Sequence, residues 1–285
     1  MRKKTSFGCN AFSRAIFTPK TKDDVYTFVQ TMHQAGFLYT KDFHVLGKGS
    51  NLLIEDGGYT GCLIDLSKLH QIQTIEKKQN WIMDVQAGVG MGTLLQQLRK
   101  ESYTGFEFTF GIPGSIGGGI RMNAGTPEGW FSQVLISVYG CTKEGEPFTK
   151  DVTENDFLYR DFPFGRDKII LGGTFVFALS EKQYIEEKIA LAKSKRDLQP
   201  LQYPNFGSVF KNPKPYFAGA LIEEVGLKGH QLGEAQISEK HANFIINHGL
   251  AKVENVKQLI ELVQQKVYNH KGITLETEVH LIGKP

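Results

Sequence analysis

The chain has 285 residues, 40% of them hydrophobic and 22% charged, enough for a sizeable core and too apolar for wholesale disorder. With 33 Lys and Arg against 30 Asp and Glu, the net charge is +3, too mild a balance to imply nucleic-acid binding. Three scattered cysteines, Cys9, Cys62 and Cys141, exclude a disulfide framework or a Cys-rich metal site and point to a reducing cytoplasm.

The N-terminus begins MRKK but lacks the apolar run of a signal peptide, and no stretch approaches 18 apolar residues, so no membrane span is expected. Residues 21–36 read as a helix. Thr21 can cap it, Asp23 and Asp24 suit its positive end, Val25, Phe28, Val29 and Met32 share one face, and Gly36 can stop it. Short β-like runs follow at Phe43–Leu46, Cys62–Leu66 and Trp81–Gln86, then a helix at Thr93–Lys100 and strands at Val134–Cys141 and Lys168–Leu179. A charged helix over 181–196 leads into a Pro-containing linker over 197–204. Helical residues are expected near Ala218–Val225, a strand at Ala242–Asn247, a helix near Glu254–His270 closed by Gly272, and a last strand at Thr274–Ile282. The order is that of an α+β protein rather than a strict βαβ repeat.

Five segments carry candidate chemistry. In LGKGSNLL, the turn of Gly47, Lys48, Gly49, Ser50, Asn51 and Leu52 offers bare N–H groups suited to phosphate, although two glycines also make an ordinary turn. The stretch GIPGSIGGGIRMNAG holds six glycines in fifteen residues, a density that suggests a pyrophosphate or flat ring lying against main chain. Pro113 stiffens it, and Asn123 could hydrogen-bond a heterocycle. It lacks the G-x-G-x-x-G spacing between strand and helix, which points away from a Rossmann site. In GSVFKNP, Ser208, Lys211 and Asn212 place a hydroxyl, a cation and an amide together. ISEKHANFIIN sets His241 before a strand. In LETEVHLIG, Glu276, Glu278 and His280 would share one face of a strand, toward either solvent or a cleft.

These blocks, with the Tyr159-Arg160 pair and AGALIEEVGLKG, occur in one order along nearly the whole chain, and together they resemble the UDP-N-acetylenolpyruvoylglucosamine reductase family. The short interval from Arg160 to Ser208 is similar to the subtype without an extra substrate-covering insertion. The resemblance implies a FAD-binding fold of the vanillyl-alcohol oxidase type in two α+β subdomains, about 1–70 and 71–180, followed by an α+β substrate-binding domain over 181–285. It implies non-covalent FAD, NADPH as co-substrate, and reduction of UDP-N-acetylglucosamine enolpyruvate to UDP-N-acetylmuramate by a cytoplasmic monomer. Its only partner is a small UDP-sugar, with neither nucleic acid nor membrane.

By the same resemblance Arg160, Ser208 and Glu278 are catalytic, with Ser208 the proton donor, helped by Lys211 or Asn212, and Glu278 a donor in its protonated form. Gly47–Leu52 and Gly111, Ile112, Pro113, Gly114, Ser115, Gly117, Gly118, Met122, Asn123 and Ala124 bind the cofactor. Tyr159, Lys211, Asn212 and His241 bind substrate. The chain departs from the family at TPEGWF, where an A-Y-G-x-E continuation is usual, at Phe206, a bulky residue expected near the site, and at His280. The competing readings are another flavin oxidase or dehydrogenase of the same fold, with His44 as a possible tether, and a flavin-binding relative without turnover.

Overall fold

The structure, a computed structural model, describes residues 1–283. Its contacts divide the chain into two compact units. One holds residues 15–48 and 61–194; the other collects residues 1–14, 49–60 and those from 195 onward.

In the first unit, helix α1 (Lys22–Gln34) starts at a capping box. The Thr21 side chain accepts from the Asp24 N–H, and the Asp24 carboxylate accepts from the Thr21 N–H. Val25 and Val29 are buried, with Phe28 and Met32 packed beside them. The helix ends in a Schellman arrangement: Gly36 sits at φ +81° and donates to His33 O, while Phe37 donates to Met32 O. A small sheet pairs Phe43–Leu46 in parallel with Tyr59–Asp65, which also meets Ser13–Phe17.

The larger sheet runs Pro147–Asp151, Leu135–Thr142, Lys168–Leu179, Asn80–Gln86, Ile72–Lys77, with antiparallel pairings, and Tyr103–Thr104 also pairs with Lys168–Leu179. On it packs α2 (Met91–Lys100), which begins two residues before the expected Thr93 and buries Met91, Leu94, Leu95 and Leu98 at helical spacing. The glycine-rich stretch is not all loop. Residues Ile116–Arg121 form a short helix, α3, with Ile116 and Ile120 fully buried, which is why isoleucines interleave the glycines. A cluster of edge-to-face rings, Phe106, Phe108, Phe131 and Phe177, fills the space beneath. Helix α4 (Lys182–Arg196) follows, with only Ile185 and Ile189 buried.

In the second unit, a four-stranded sheet runs Asn205–Ser208, Phe244–Asn247, Ala235–Ile237, Gln231–Leu232. Helices α5 (Ala218–Glu224) and α6 (Val253–Lys271) belong to this unit; α6 buries Val256, Leu259, Val263 and Val267 and stops at Gly272, φ +70°. The N–H groups of Val253 and Glu254 donate to the Asp56 carboxylate, which caps α6 from far away in sequence. The expected single strand over 274–282 is instead two short pieces with different partners. Thr277 forms an antiparallel bridge with Phe210, the chain bends at Val279, and His280–Ile282 then pairs in parallel with Leu52–Ile54. Glu276, Glu278 and His280 therefore do not share one continuous strand face. The strand expected from Ala242 begins at Phe244. Among the described residues, no helix is long and apolar enough to cross a membrane.

Candidate active site

The turn after Phe43–Leu46 presents Gly47 and Lys48 as exposed residues in the first unit. Among the described residues, the backbone N–H groups of Gly47, Lys48, Gly49 and Ser50 have no protein acceptor. Such a run of undirected donors is what a phosphate group requires. A Cβ on Gly47 would lie 2.8 Å from Ser115 Oγ, and one on Gly90 would lie 2.8 Å from Lys48 Nζ, so the glycines let these polar groups come close.

The glycines of α3 serve two purposes. A Cβ on Gly117 would sit 2.7 Å from Ala87 Cβ and one on Gly119 2.2 Å from the Phe131 ring, so these two glycines exist for packing against the sheet and the aromatic core. A Cβ on Gly118 would meet only Ser115 Oγ, at 3.6 Å, and Gly118 is exposed together with Gly111 and Pro113. A flat ring or pyrophosphate has access to that face. The residues thus fit a dinucleotide held by main chain. The Asn123 side chain, expected to bond a heterocycle, is already engaged: its oxygen accepts from Ser132 N–H and its nitrogen donates to Leu158 O.

That second bond leads to the Tyr159-Arg160 pair. Leu158 and Asp161 exchange backbone hydrogen bonds of 2.9 and 3.2 Å, so Tyr159 and Arg160 occupy the two central places of a tight turn. Arg160 takes φ +59°, a left-handed conformation unusual for a long side chain and of the kind found where function fixes geometry. Asp161, 9% exposed, accepts from Arg121 at 2.9 Å and from Arg166. Burial works against its charge, but the hydrogen bonds from Arg166 and Arg121 outweigh it and hold the carboxyl below its usual range. The Arg160 guanidinium lies 5.2 Å from the Trp130 ring centroid and 5.3 Å from that of Tyr159, and the two rings meet edge to face at 5.8 Å. Trp130 sits on a small hairpin, Gly125–Thr126 with Gly129–Trp130. It belongs to the TPEGWF stretch, and its contact with Arg160 is not signalled by local sequence pattern.

In the second unit the structure brings Ser208 and Glu278 onto neighbouring segments. Glu278 N–H donates to Val209 O at 2.8 Å, and Lys211 N–H donates to Glu276 O at 2.9 Å. Both residues are half-buried. Asn243, 3% exposed, clamps the same loop: its Nδ2 donates to Phe210 O and its Oδ1 accepts from Phe210 N–H. Asn51 reaches the other side, donating to Glu278 O at 2.8 Å, while His280 N–H donates to Asn51 O.

Two expectations about side chains change, for the Lys211–Asn212 pair and for Phe206. Lys211 Nζ pairs with the Glu276 carboxylate, and Asn212 Oδ1 accepts from Ala218 N–H at the start of α5, so both side chains engage partners other than Ser208. Phe206 does not crowd a site; it is 1% exposed and packs on Phe7 at 5.3 Å. His241 packs edge-on against Phe244, and its Nδ1 accepts from Asn243 N–H; burial lowers its pKa, favouring the neutral ring.

Comparison with known proteins adds to this geometry. Residues 13–149 match the family described as FAD binding domain, and residues 199–282 match UDP-N-acetylenolpyruvoylglucosamine reductase, C-terminal domain. A protein named UDP-N-acetylenolpyruvoylglucosamine reductase from Clostridium botulinum is 37% identical over 286 aligned positions, covering 100% of this chain and 91% of its own length. The chain belongs to the UDP-N-acetylenolpyruvoylglucosamine reductase family. Another family member, from Syntrophus aciditrophicus, is 36% identical over 98% of this chain and 89% of its own. The crystal structure of the Thermus caldophilus reductase superposes with a TM-score of 0.81 at 30% identity, covering 98% of this chain and 96% of that one. The chain is thus an α+β flavoprotein reductase of this family, and both halves of the family's architecture are present in it.

Proposed function

We propose that this chain reduces UDP-N-acetylglucosamine enolpyruvate to UDP-N-acetylmuramate in peptidoglycan precursor synthesis, with non-covalently bound FAD and with NADPH as the reductant. It acts as a cytoplasmic monomer. In sequence the FAD-binding domain is taken as 1–180 and the substrate-binding domain as 181–285, with residues 1–14 and 49–60 grouping with the latter and 181–194 with the former by contacts. The observation that carries the reading is the backbone pairing of the Ser208 loop with the Glu278 segment, which sets side by side two distant stretches of sequence, one bearing a hydroxyl and the other a carboxyl.

When bound, the flavin supplies hydride transfer from the nicotinamide to the substrate's terminal enol carbon. Hydride addition there leaves negative charge on the neighbouring carbon and its carboxylate. Arg160 and Glu278 stabilise that charge, Arg160 by its permanent cation and Glu278 as a hydrogen-bond donor in its protonated form. Ser208 Oγ delivers the proton that completes the reduction. Gly47, Lys48, Gly49, Ser50, Asn51 and Leu52 hold the cofactor together with the exposed face of residues 111–124. Tyr159, Lys211, Asn212 and His241 contact the substrate, with the ring of His241 neutral.

NADPH absorbance followed with and without UDP-N-acetylglucosamine enolpyruvate tests the reading. Oxidation that depends on this substrate is expected; FAD-loaded protein that shows none overturns it. In a stopped-flow experiment Ser208→Ala keeps flavin bleaching by NADPH and loses reoxidation by substrate, by roughly a hundredfold. Rapid reoxidation in that variant removes the role given to Ser208.

A further inference from the structure

The backbone of Arg160 is fixed by the Leu158–Asp161 exchange, by Asn123 on Leu158 O, and by Arg121 and Arg166 on Asp161. Those bonds set where the side chain starts, not where its charge ends. An arginine side chain keeps several rotatable bonds beyond Cα and loses considerable entropy when one arrangement is imposed. The aromatic rings of Trp130 and Tyr159 lie 5.2 and 5.3 Å from the guanidinium carbon, and they are set nearly perpendicular, at 79°. Two rings at right angles restrict a planar cation in two directions. An aromatic face also attracts the cation without neutralising it, as a carboxylate would.

We propose that Trp130 is a positioning residue that holds the Arg160 guanidinium for the developing negative charge of the reduction. The inference rests on the role assigned to Arg160 above. Trp130 itself touches neither flavin nor substrate in this scheme; it acts through Arg160. Its place on the hairpin is rigidly set, because Phe131, the next residue, is buried in the aromatic core and donates its N–H to Ala124 O. The stretch that leaves the family pattern therefore supplies the arginine with its seat.

Two substitutions separate this role from a structural one. In Trp130→Leu, bleaching of the flavin by NADPH keeps its wild-type rate, while reoxidation by substrate slows by roughly 2- to 30-fold, the range of a cation–ring contact. Trp130→Phe retains a ring face and recovers most of that loss. Equal slowing of both half-reactions, wild-type reoxidation in Trp130→Leu, or no recovery in Trp130→Phe each overturns the proposal. A second readout needs no turnover. The chain has two tryptophans, and Trp81 is 3% exposed in the sheet. Arg160→Met in substrate-free protein should shift the emission of Trp130; unchanged emission shows that the contact is not populated and also overturns the proposal. If wild-type protein fails to reoxidise with substrate, the functional reading falls first, and the emission experiment reports on the contact separately.

Discussion

Asn243 shows how much one side chain can organise. Its amide satisfies both the N–H and the C=O of Phe210, in a region where water does not reach. Replacing it with Ala leaves two buried backbone groups without partners, at about 1–3 kcal/mol each. Asn243→Ala is therefore expected to lose about 2–5 kcal/mol in urea unfolding, and the loop bearing Ser208 loosens with it. A loss under 1 kcal/mol counts against the clamp. Asp161 gives a prediction in pH. Its carboxyl is held below its ordinary value in the folded protein, so the folded state binds fewer protons than the unfolded chain near that value. The stability it contributes is present in full above the unfolded pKa, near 3.9, and is lost as pH falls through the folded one. Asp161→Asn should flatten the acid limb of the stability–pH curve relative to wild type. Identical limbs in the two proteins remove the argument. Ser208, Glu278 and Arg160 are visible in the sequence as motif members, but Asp161 is marked by no local pattern, and nothing within ISEKHANFIIN singles out Asn243. Their importance comes from partners 33 and 40 positions away, Phe210 and Arg121.

At the scale of elements, periodicity was informative for two of the longer helices and for the central strand of the larger sheet. Helices α1 and α6 and the strand Lys168–Leu179 follow their apolar patterns to within a residue or two. It was uninformative where partners change along the run. Residues 274–282 alternate like one strand, yet the chain bends at Val279 because its two ends are hydrogen-bonded to different segments. The glycine-rich stretch misled in another way, since composition does not say which glycines face a ligand and which face the core. That distinction is testable. Gly119→Ala forces a methyl against the Phe131 ring and should lower stability by about 1–3 kcal/mol. Gly118→Ala makes only an ordinary contact with Ser115 Oγ, at 3.6 Å, and should leave flavin-free protein unchanged or more stable by up to about 1 kcal/mol. If Gly118 faces the cofactor, the same methyl weakens FAD retention. Thermal melts of the flavin-free variants, with flavin content measured alongside, separate the two glycines; equal melting temperatures would dissolve the distinction.

For the whole molecule, the decisive fact is how one unit is assembled from three stretches of chain. Residues 195 onward contribute the four-stranded sheet, α5 and α6, but they depend on earlier residues for completion. Leu52–Ile54 pairs with the last strand, Asp56 caps α6, and Asn247 donates to Phe7 O from within the sheet. A fragment beginning at residue 195 is accordingly expected to lack a cooperative thermal transition, and adding residues 1–60 in trans should restore helical content. A sharp transition in the fragment alone would show that the borrowed segments are dispensable. No sequence pattern announces this assembly, because a parallel pairing between residues 52 and 280 leaves no turn and no local repeat to read.

That pairing also bears on the order in which the molecule can be made. A chain leaves the ribosome from its first residue, and contacts between distant positions wait until both have emerged. Leu52–Ile54 are synthesised long before His280–Ile282, and the backbone groups they present to that strand stay open until it emerges. Through that interval the nascent protein carries an unsatisfied strand of three apolar residues, and a delay in translating the intervening stretch prolongs its exposure to chaperones and to neighbouring chains.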